Sequence, residues 1–188
     1  MVTIVIPFAG AAGKTRLHTS PAVRIALAEA MLGDVIAACA PVGHVRVVTP
    51  DPDVVDRADA EFVADPGGGQ GAAVAAALEG VAGTVVVVNA DVPCAVPADV
   101  RLLAETAPAL VAAADWTTNA LSLPSAELFE PLYGAGSAER FHEHCGAVSM
   151  AVPNLADDVD SVDDLYRLQL RLGPRTLATL GRLKDELT

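Results

Sequence analysis

The stretch Val85-Val86-Val87-Val88-Asn89-Ala90-Asp91-Val92-Pro93 decides how this chain is read. Four consecutive valines are too apolar for a strand with one wet face. They predict a central strand of a parallel sheet, covered on both sides. The apolar run stops abruptly at Asn89, Asp91 and Pro93. In an open α/β sheet the ligand sits just beyond the carboxyl ends of the strands. Asp91 is therefore expected where a carboxylate can hold a metal ion against a phosphate.

Working outward from this strand, apolar runs alternate with helical patterns in both directions. Val2 to Pro7 reads as a first strand, Val45 to Val48 as a second and Glu61 to Ala64 as a third. Between the first two, Ser20 before Pro21 marks a helix start, and Ala22 to Ala38 continues with apolar residues at helical spacing. Ala72 to Val81 predicts an Ala-rich helix. Beyond the valines, Pro97 opens a helix to about Thr106, Ala109 to Ala114 reads as a strand, and Ala120 to Leu123 as a returning strand. Helix is expected over Ser125 to Leu132, and again from a capping Ser137 through His144. Ala147 to Val152 reads as strand. A helix over Ser161 to Leu172 begins with a capping-box-like Ser161-Val162-Asp163-Asp164, is broken by Gly173-Pro174, and is followed by a last helix from Arg175. The pattern predicts an α/β fold, a three-layer, doubly wound, mostly parallel sheet of Rossmann-like kind, with residues 1–188 as a single domain.

Composition narrows the function. A net charge of −12 disfavours a nucleic-acid surface, which needs a basic stripe. No apolar run of about 18 residues suggests a membrane span. The N-terminus enters a strand-like segment directly, without a secretory pattern. Three widely spaced cysteines, Cys39, Cys94 and Cys145, suit reduced thiols in a cytoplasmic protein. Lys and Arg are absent between Arg57 and Arg101 and between Arg101 and Arg140. A cationic pocket must draw on Lys14, Arg16, Arg24, Arg140 or a metal.

Gly13-Lys14-Thr15 after a strand invites a P-loop reading. That motif requires a glycine where Phe8 stands, and its helix should follow at once rather than at Ser20-Pro21. The alternative is a longer loop in which Gly10 and Gly13 bring backbone amides to phosphate oxygens and Lys14 and Arg16 add charge. An ordinary solvated surface loop fits the same residues. His142, Glu143, His144 and Cys145 lack a second ligand pair at zinc-finger spacing, and the two histidines point to different helix faces. Trp116 reads as packing rather than base stacking.

Several segments, taken together, are more specific than any alone. Pro7-Phe8 followed by Lys14-Thr15-Arg16-Leu17 resembles the start of the 2-phospho-L-lactate guanylyltransferase family of coenzyme F420 biosynthesis, which in some bacteria uses phosphoenolpyruvate. Ala64-Asp65-Pro66 through Leu78 resembles its second glycine loop and helix, and Asn89-Ala90-Asp91-Val92-Pro93 its Gly-Asp-Leu-Pro signature. Thr118-Asn119-Ala120-Leu121 matches a Thr-Asn-Ala-Leu segment. Tyr133-Gly134-Ala135-Gly136-Ser137 with Arg140 resembles its Phe-Gly-Pro-Gly-Ser loop, and Asp158-Val159-Asp160-Ser161 its Asp-Val-Asp-Thr. Three segments depart from the pattern: Gln70-Gly71 where Asn is usual, Asn89 where Gly is usual, and a first loop with fewer bulky and basic residues than the family's.

The resemblance implies a nucleotide-diphospho-sugar-transferase-like fold and transfer of GMP from GTP to a small phospho-acid, with release of pyrophosphate. It implies Mg²⁺ held by Asp91 and Asp160, with Lys14 beside them in the catalytic set. Gly10, Gly13, Lys14, Arg16, Gln70 and Gly71 would bind the nucleotide. Thr118, Gly134, Ser137 and Arg140 would bind the acceptor. A related nucleotidyltransferase with another base or acceptor, and a non-catalytic nucleotide-binding homologue, remain alternatives. Leu165, Leu168 and Leu172 suit either a core or a homodimer interface.

Overall fold

The computed structural model describes residues 1–10, 17, 19–55 and 59–183. Seven strands form one sheet: β1 (Thr3–Pro7), β2 (His44–Thr49), β3 (Glu61–Ala64), β4 (Val85–Val88), β5 (Ala109–Ala112), β6 (Thr118–Leu123) and β7 (Val148–Ser149). Their order is β3-β2-β1-β4-β6-β5-β7. The valine strand β4 is thus the middle strand. Val85 and Val87 enter one apolar cluster and Val86 and Val88 the other, so both faces are buried as the run of valines predicts. Fully burying a valine contributes on the order of 1.5–3 kcal/mol, and β4 does so four times without needing a polar face.

Strands β1 to β4 are mutually parallel, and β6 alone runs antiparallel, between β4 and β5. The chain winds outward from β1 through β2 to β3, then returns to place β4 on the other side of β1. This reversal opens a crevice beyond the carboxyl ends of β1 and β4.

Helices cover both faces, giving the expected three layers. On one side lie α1 (Pro21–Cys39), α3 (Pro97–Glu105) and the short α5 (Pro153–Ala156), and on the other α2 (Gln70–Leu78) and α4 (Ser137–Cys145). A third cluster joins α1 to α6 (Val162–Leu168) and α7 (Pro174–Arg182). Leu165, Leu168 and Leu172 belong to it and are buried, so they serve the core. No helix among the described residues is long and apolar enough to cross a membrane.

Local signals set most boundaries. Ser20 accepts a hydrogen bond from Val23 N with Pro21 at the first position, and Ser161 and Asp164 complete a reciprocal capping box. Five expectations are corrected. Ser125 to Leu132 holds a single 3₁₀ turn, Ala126–Leu128, after which Phe129 turns extended, and Ala126, Phe129 and Leu132 pack against the second cluster without continuing a helix. The strand over Ala147 to Val152 shrinks to Val148–Ser149, since β7 is an edge strand with one partner, and Pro153 then opens α5. The helix from Ser161 ends at Leu168 rather than Leu172. Gly136, in left-handed conformation, caps α4, and Ser137 sits inside the first turn. Trp116, expected as packing, is 69% exposed.

One buried carboxylate ties the C-terminal helix down. Asp34 in α1 accepts from Arg175 N at 3.0 Å and Thr176 N at 2.8 Å, the free amides at the start of α7. A Cβ on Gly173 would come within 2.3 Å of the Asp34 carboxyl carbon. Asp34→Ala is expected to cost about 2–4 kcal/mol, because two charge-assisted bonds, one to a buried and one to a partly buried amide, go unreplaced. Equilibrium denaturation measures this, and an unchanged midpoint would show that α7 docks by its apolar face alone.

Candidate active site

The crevice between β1 and β4 is a cleft of about 310 Å³. Its lining draws on three segments: Phe8 to Gly10 after β1, Asp65, Gly69 and Gln70 after β3, and Asn89 to Asp91 after β4, with Asp160 closing it. Gly10, Gln70, Asp91 and Asp160, all expected at the nucleotide or metal site, therefore meet in one place. Gly13, Lys14 and Arg16 lie outside the described residues. No described lining residue is Lys or Arg, whereas three are Asp.

The loop after β3 owes its shape to glycine. Gly67, Gly68 and Gly69 all have positive φ, between 77° and 90°, a region other residues enter only with strain. Asp65 Oδ1 accepts from Gly67 N at 2.8 Å and starts the turn. Gly71 has a different reason for being small: a Cβ there would lie 2.6 Å from Pro131 Cβ. It is a packing position and does not line the cleft.

Asp91 stands on the loop after β4, as its strand predicts. Asp160 does not follow a strand. It lies in the loop between α5 and α6, next to the capping Ser161. Val159 N donates to Asp91 O at 2.9 Å and joins the two loops, while the Val159 side chain is fully buried in the third cluster. The residues on either side of Val159 are held at the same place. One carboxylate oxygen from each of Asp91, Asp158 and Asp160 lies within 4.8 Å of the other two. Asp158 was legible only as part of the Asp-Val-Asp signature, and its place in the triad comes from the fold.

The neighbouring acid faces elsewhere. Asp157 pairs with Arg167 at 2.8 Å and with Arg171, and Arg167 also reaches Asp164 at 3.0 Å. Burial works against the Asp157 charge, but the two guanidinium groups outweigh it and hold the carboxyl below its usual range. Asp158 is opposite: burial, then the charge of Asp91, push its carboxyl up. Its ionised form therefore burdens the metal-free fold, a cost absent at low pH that grows as pH rises through the raised value. A divalent cation would offset both causes. The donor set consists of oxygens alone, as hard ions such as Mg²⁺ require.

The four residues expected at the acceptor gather nearby, around the start of β6. Thr118 Oγ1 and Ser137 Oγ lie 2.9 Å apart, both buried. Arg140 is committed to shaping its loop: Nε and Nη2 donate to Leu132 O, Nη2 to Tyr133 O, and Nη1 to Ala135 O at 2.6 Å. Gly134, in that loop, has φ 110°. Asn89 links this group to the cleft, since its Nδ2 donates to Thr118 O at 3.3 Å. His142 and His144 each face a backbone carbonyl, of Ala147 and Leu128, apart from the acidic triad. Burial pushes the Cys39 thiol up to about 12, far from a nucleophile's range.

A glycine loop facing clustered carboxylates, across the switch point of a parallel sheet, defines a nucleotide-handling α/β protein of the nucleotidyltransferase class. Residues 12–152 match the MobA-like NTP transferase domain, and the chain belongs to that family. It is 34% identical to a phosphoenolpyruvate guanylyltransferase of Streptomyces scabiei, covering 97% of this chain and 96% of the relative. It is 36% identical to a phosphoenolpyruvate guanylyltransferase of Mycolicibacterium smegmatis, covering 90% and 86%. Among solved structures, a proposed nucleotide-diphospho-sugar transferase of Desulfovibrio desulfuricans G20 superimposes with TM-score 0.78 at 17% identity, over 99% of this chain and 96% of that one. The likeness at that identity concerns the fold.

Asp158→Asn removes one of three like charges. The melting temperature of the metal-free protein is expected to rise, and its further rise on adding Mg²⁺ or Mn²⁺ to disappear. A thermal-shift series with and without EDTA checks this; a metal response equal to wild type would remove Asp158 from the site.

Proposed function

We propose that this chain transfers GMP from GTP to the phosphate of phosphoenolpyruvate, releasing pyrophosphate, as a step in coenzyme F420 biosynthesis. The observation that carries the reading is the convergence of Asp91, Asp158 and Asp160 within 4.8 Å beside the glycine-bordered cleft. The names of the two curated relatives supply the nucleotide and the acceptor.

Two polyanions must meet in a cleft whose described lining is acidic. The chemistry is therefore dominated by positioning and charge neutralisation. Asp91, Asp158 and Asp160 would hold Mg²⁺, which when bound supplies positive charge to the phosphate oxygens. A phosphate oxygen of the acceptor forms a bond to the α-phosphorus of GTP, and the bond from that phosphorus to the β-phosphate bridging oxygen breaks. Pyrophosphate leaves with that electron pair. The acceptor oxygen is already anionic, so no serine or cysteine need be activated. Backbone amides around Gly10 and Gly69 suit the nucleotide, and Lys14 and Arg16 are proposed to add charge from the first loop. Thr118, Gly134 and Ser137 are proposed to shape the acceptor pocket, with Arg140 holding the loop of Gly134. All three cysteines are free thiols, which suits a cytoplasmic setting.

The test is a substrate matrix: four nucleoside triphosphates against phosphoenolpyruvate, 2-phospholactate and 3-phosphoglycerate, scored by product mass. Product is expected with GTP and phosphoenolpyruvate, and Asp91→Asn should lower kcat at least about a thousandfold. Product from another pairing would point to a related nucleotidyltransferase. Binding without pyrophosphate under any pairing would point to a non-catalytic homologue.

A further inference from the structure

Four side chains form a hydrogen-bonded line from the glycine loop to the acidic triad. It begins at Asn119, which is 2% exposed. Asn119 Nδ2 donates to Ala156 O at 3.1 Å and, in a longer contact of 3.5 Å, to Asp158 Oδ1. A backbone carbonyl and a carboxylate can only accept, so the direction of this amide is set by its surroundings. Its Oδ1 is turned to Asn89. Asn89 Nδ2 donates to that oxygen at 3.3 Å and to Thr118 O, a second acceptor-only group, also at 3.3 Å. Asn89 Oδ1 is thereby directed at Gln70, whose Nε2 donates to it at 2.7 Å.

Each link dictates the next, and the sense of the line ends on Gln70. That residue lines the cleft. Its Nε2 is engaged, and its Oε1 is held on the opposite side of the amide as an acceptor. Among the described residues no donor reaches that oxygen. A glutamine on its own can flip its amide and greet a donor or an acceptor equally well. One held at a single orientation discriminates, because the wrong ligand leaves a polar group unpaired.

We propose that Gln70 Oε1 reads a hydrogen-bond donor of the bound nucleoside, and that Asn89 and Asn119 are positioning residues which hold its amide in the accepting orientation. The proposal rests on the cleft being a nucleotide site and names the group that recognises its nucleoside end. Guanine offers its N1–H and its exocyclic 2-amine, and the ribose its hydroxyls; of these, Gln70 is assigned the 2-amine or a ribose hydroxyl. Neither positioning residue need touch the ligand. Their effect is on which nucleotide is preferred, rather than on nucleotide binding as such.

The experiment compares dissociation constants for GTP, ITP, 2′-deoxyGTP and 3′-deoxyGTP by calorimetry, in the presence of Mg²⁺, for the wild type, Asn89→Ala and Gln70→Leu. ITP lacks the 2-amine, and each deoxynucleotide lacks one hydroxyl. Wild type is expected to favour GTP about tenfold over the analogue missing the donor that Gln70 reads. Both variants should shrink that gap to about twofold or less. A gap with ITP identifies the base, and a gap with a deoxynucleotide identifies the sugar. Gln70→Leu alters a partly exposed side chain at the cleft and keeps the test open should Asn89→Ala unfold, which a melting curve reveals. Equal weakening of all four nucleotides in the variants, or no gap in wild type, would overturn the proposal. If wild type shows the gap but yields no product in the substrate matrix, the transfer reaction falls and Gln70 keeps its role. If wild type binds none of the four, both fall.

Discussion

The hydrogen bond from Val159 N to Asp91 O, 2.9 Å long, joins the two loops on which the acidic triad stands. What it joins resists being joined. Two like charges about 4 Å apart repel by roughly 4 kcal/mol at an effective dielectric near 20. A single backbone hydrogen bond contributes only about 1 kcal/mol net, so it cannot hold three carboxylates together unaided. Burial of the Val159 side chain adds on the order of 1.5–3 kcal/mol. On the outer side of the loop, Asp157 is clasped by Arg167 and Arg171. The loop is thus anchored by its odd-numbered residues, 157 and 159, and its even-numbered acids, 158 and 160, are carried to Asp91.

The distribution of positive charge follows the same logic. Arg140 donates to carbonyls of its own loop, and Arg167 and Arg171 neutralise acids outside the cleft. These arginines build the scaffold. The described cleft lining holds three aspartates and neither lysine nor arginine. The charge of −12 over the chain is therefore no obstacle to anionic ligands, because the decisive field is local.

The antiparallel strand β6 connects the two halves of the candidate site. Thr118 at its start meets Ser137, whereas the next residue, Asn119, faces Asn89 and Asp158. Successive side chains on a strand alternate in direction, so one strand end serves two neighbouring clusters. Gln70 and Asn89, which lie in two of the segments that depart from the guanylyltransferase pattern, are bonded to each other at 2.7 Å.

What could be read before folding was whatever depends on neighbours in sequence. The four valines announced the central strand, Ser20-Pro21 and Ser161 with Asp164 announced helix starts, and the ordered signatures announced the family. Asp91 was legible because it ends a strand whose place in the sheet is dictated by its apolarity. Other assignments had no such local cue. Asp157 and Asp158 are adjacent and alike in the sequence, and only the burial of Val159 and the reach of two arginines separate scaffold from site. Gly71 looked like its glycine neighbours until Pro131 was found against it. The sequence by itself determined the elements, their alternation and the chemistry available. The tertiary structure alone decided which acids share an ion's reach and which amide faces which. Those relations join residues tens of positions apart, and their energies depend on distances that chain order does not contain.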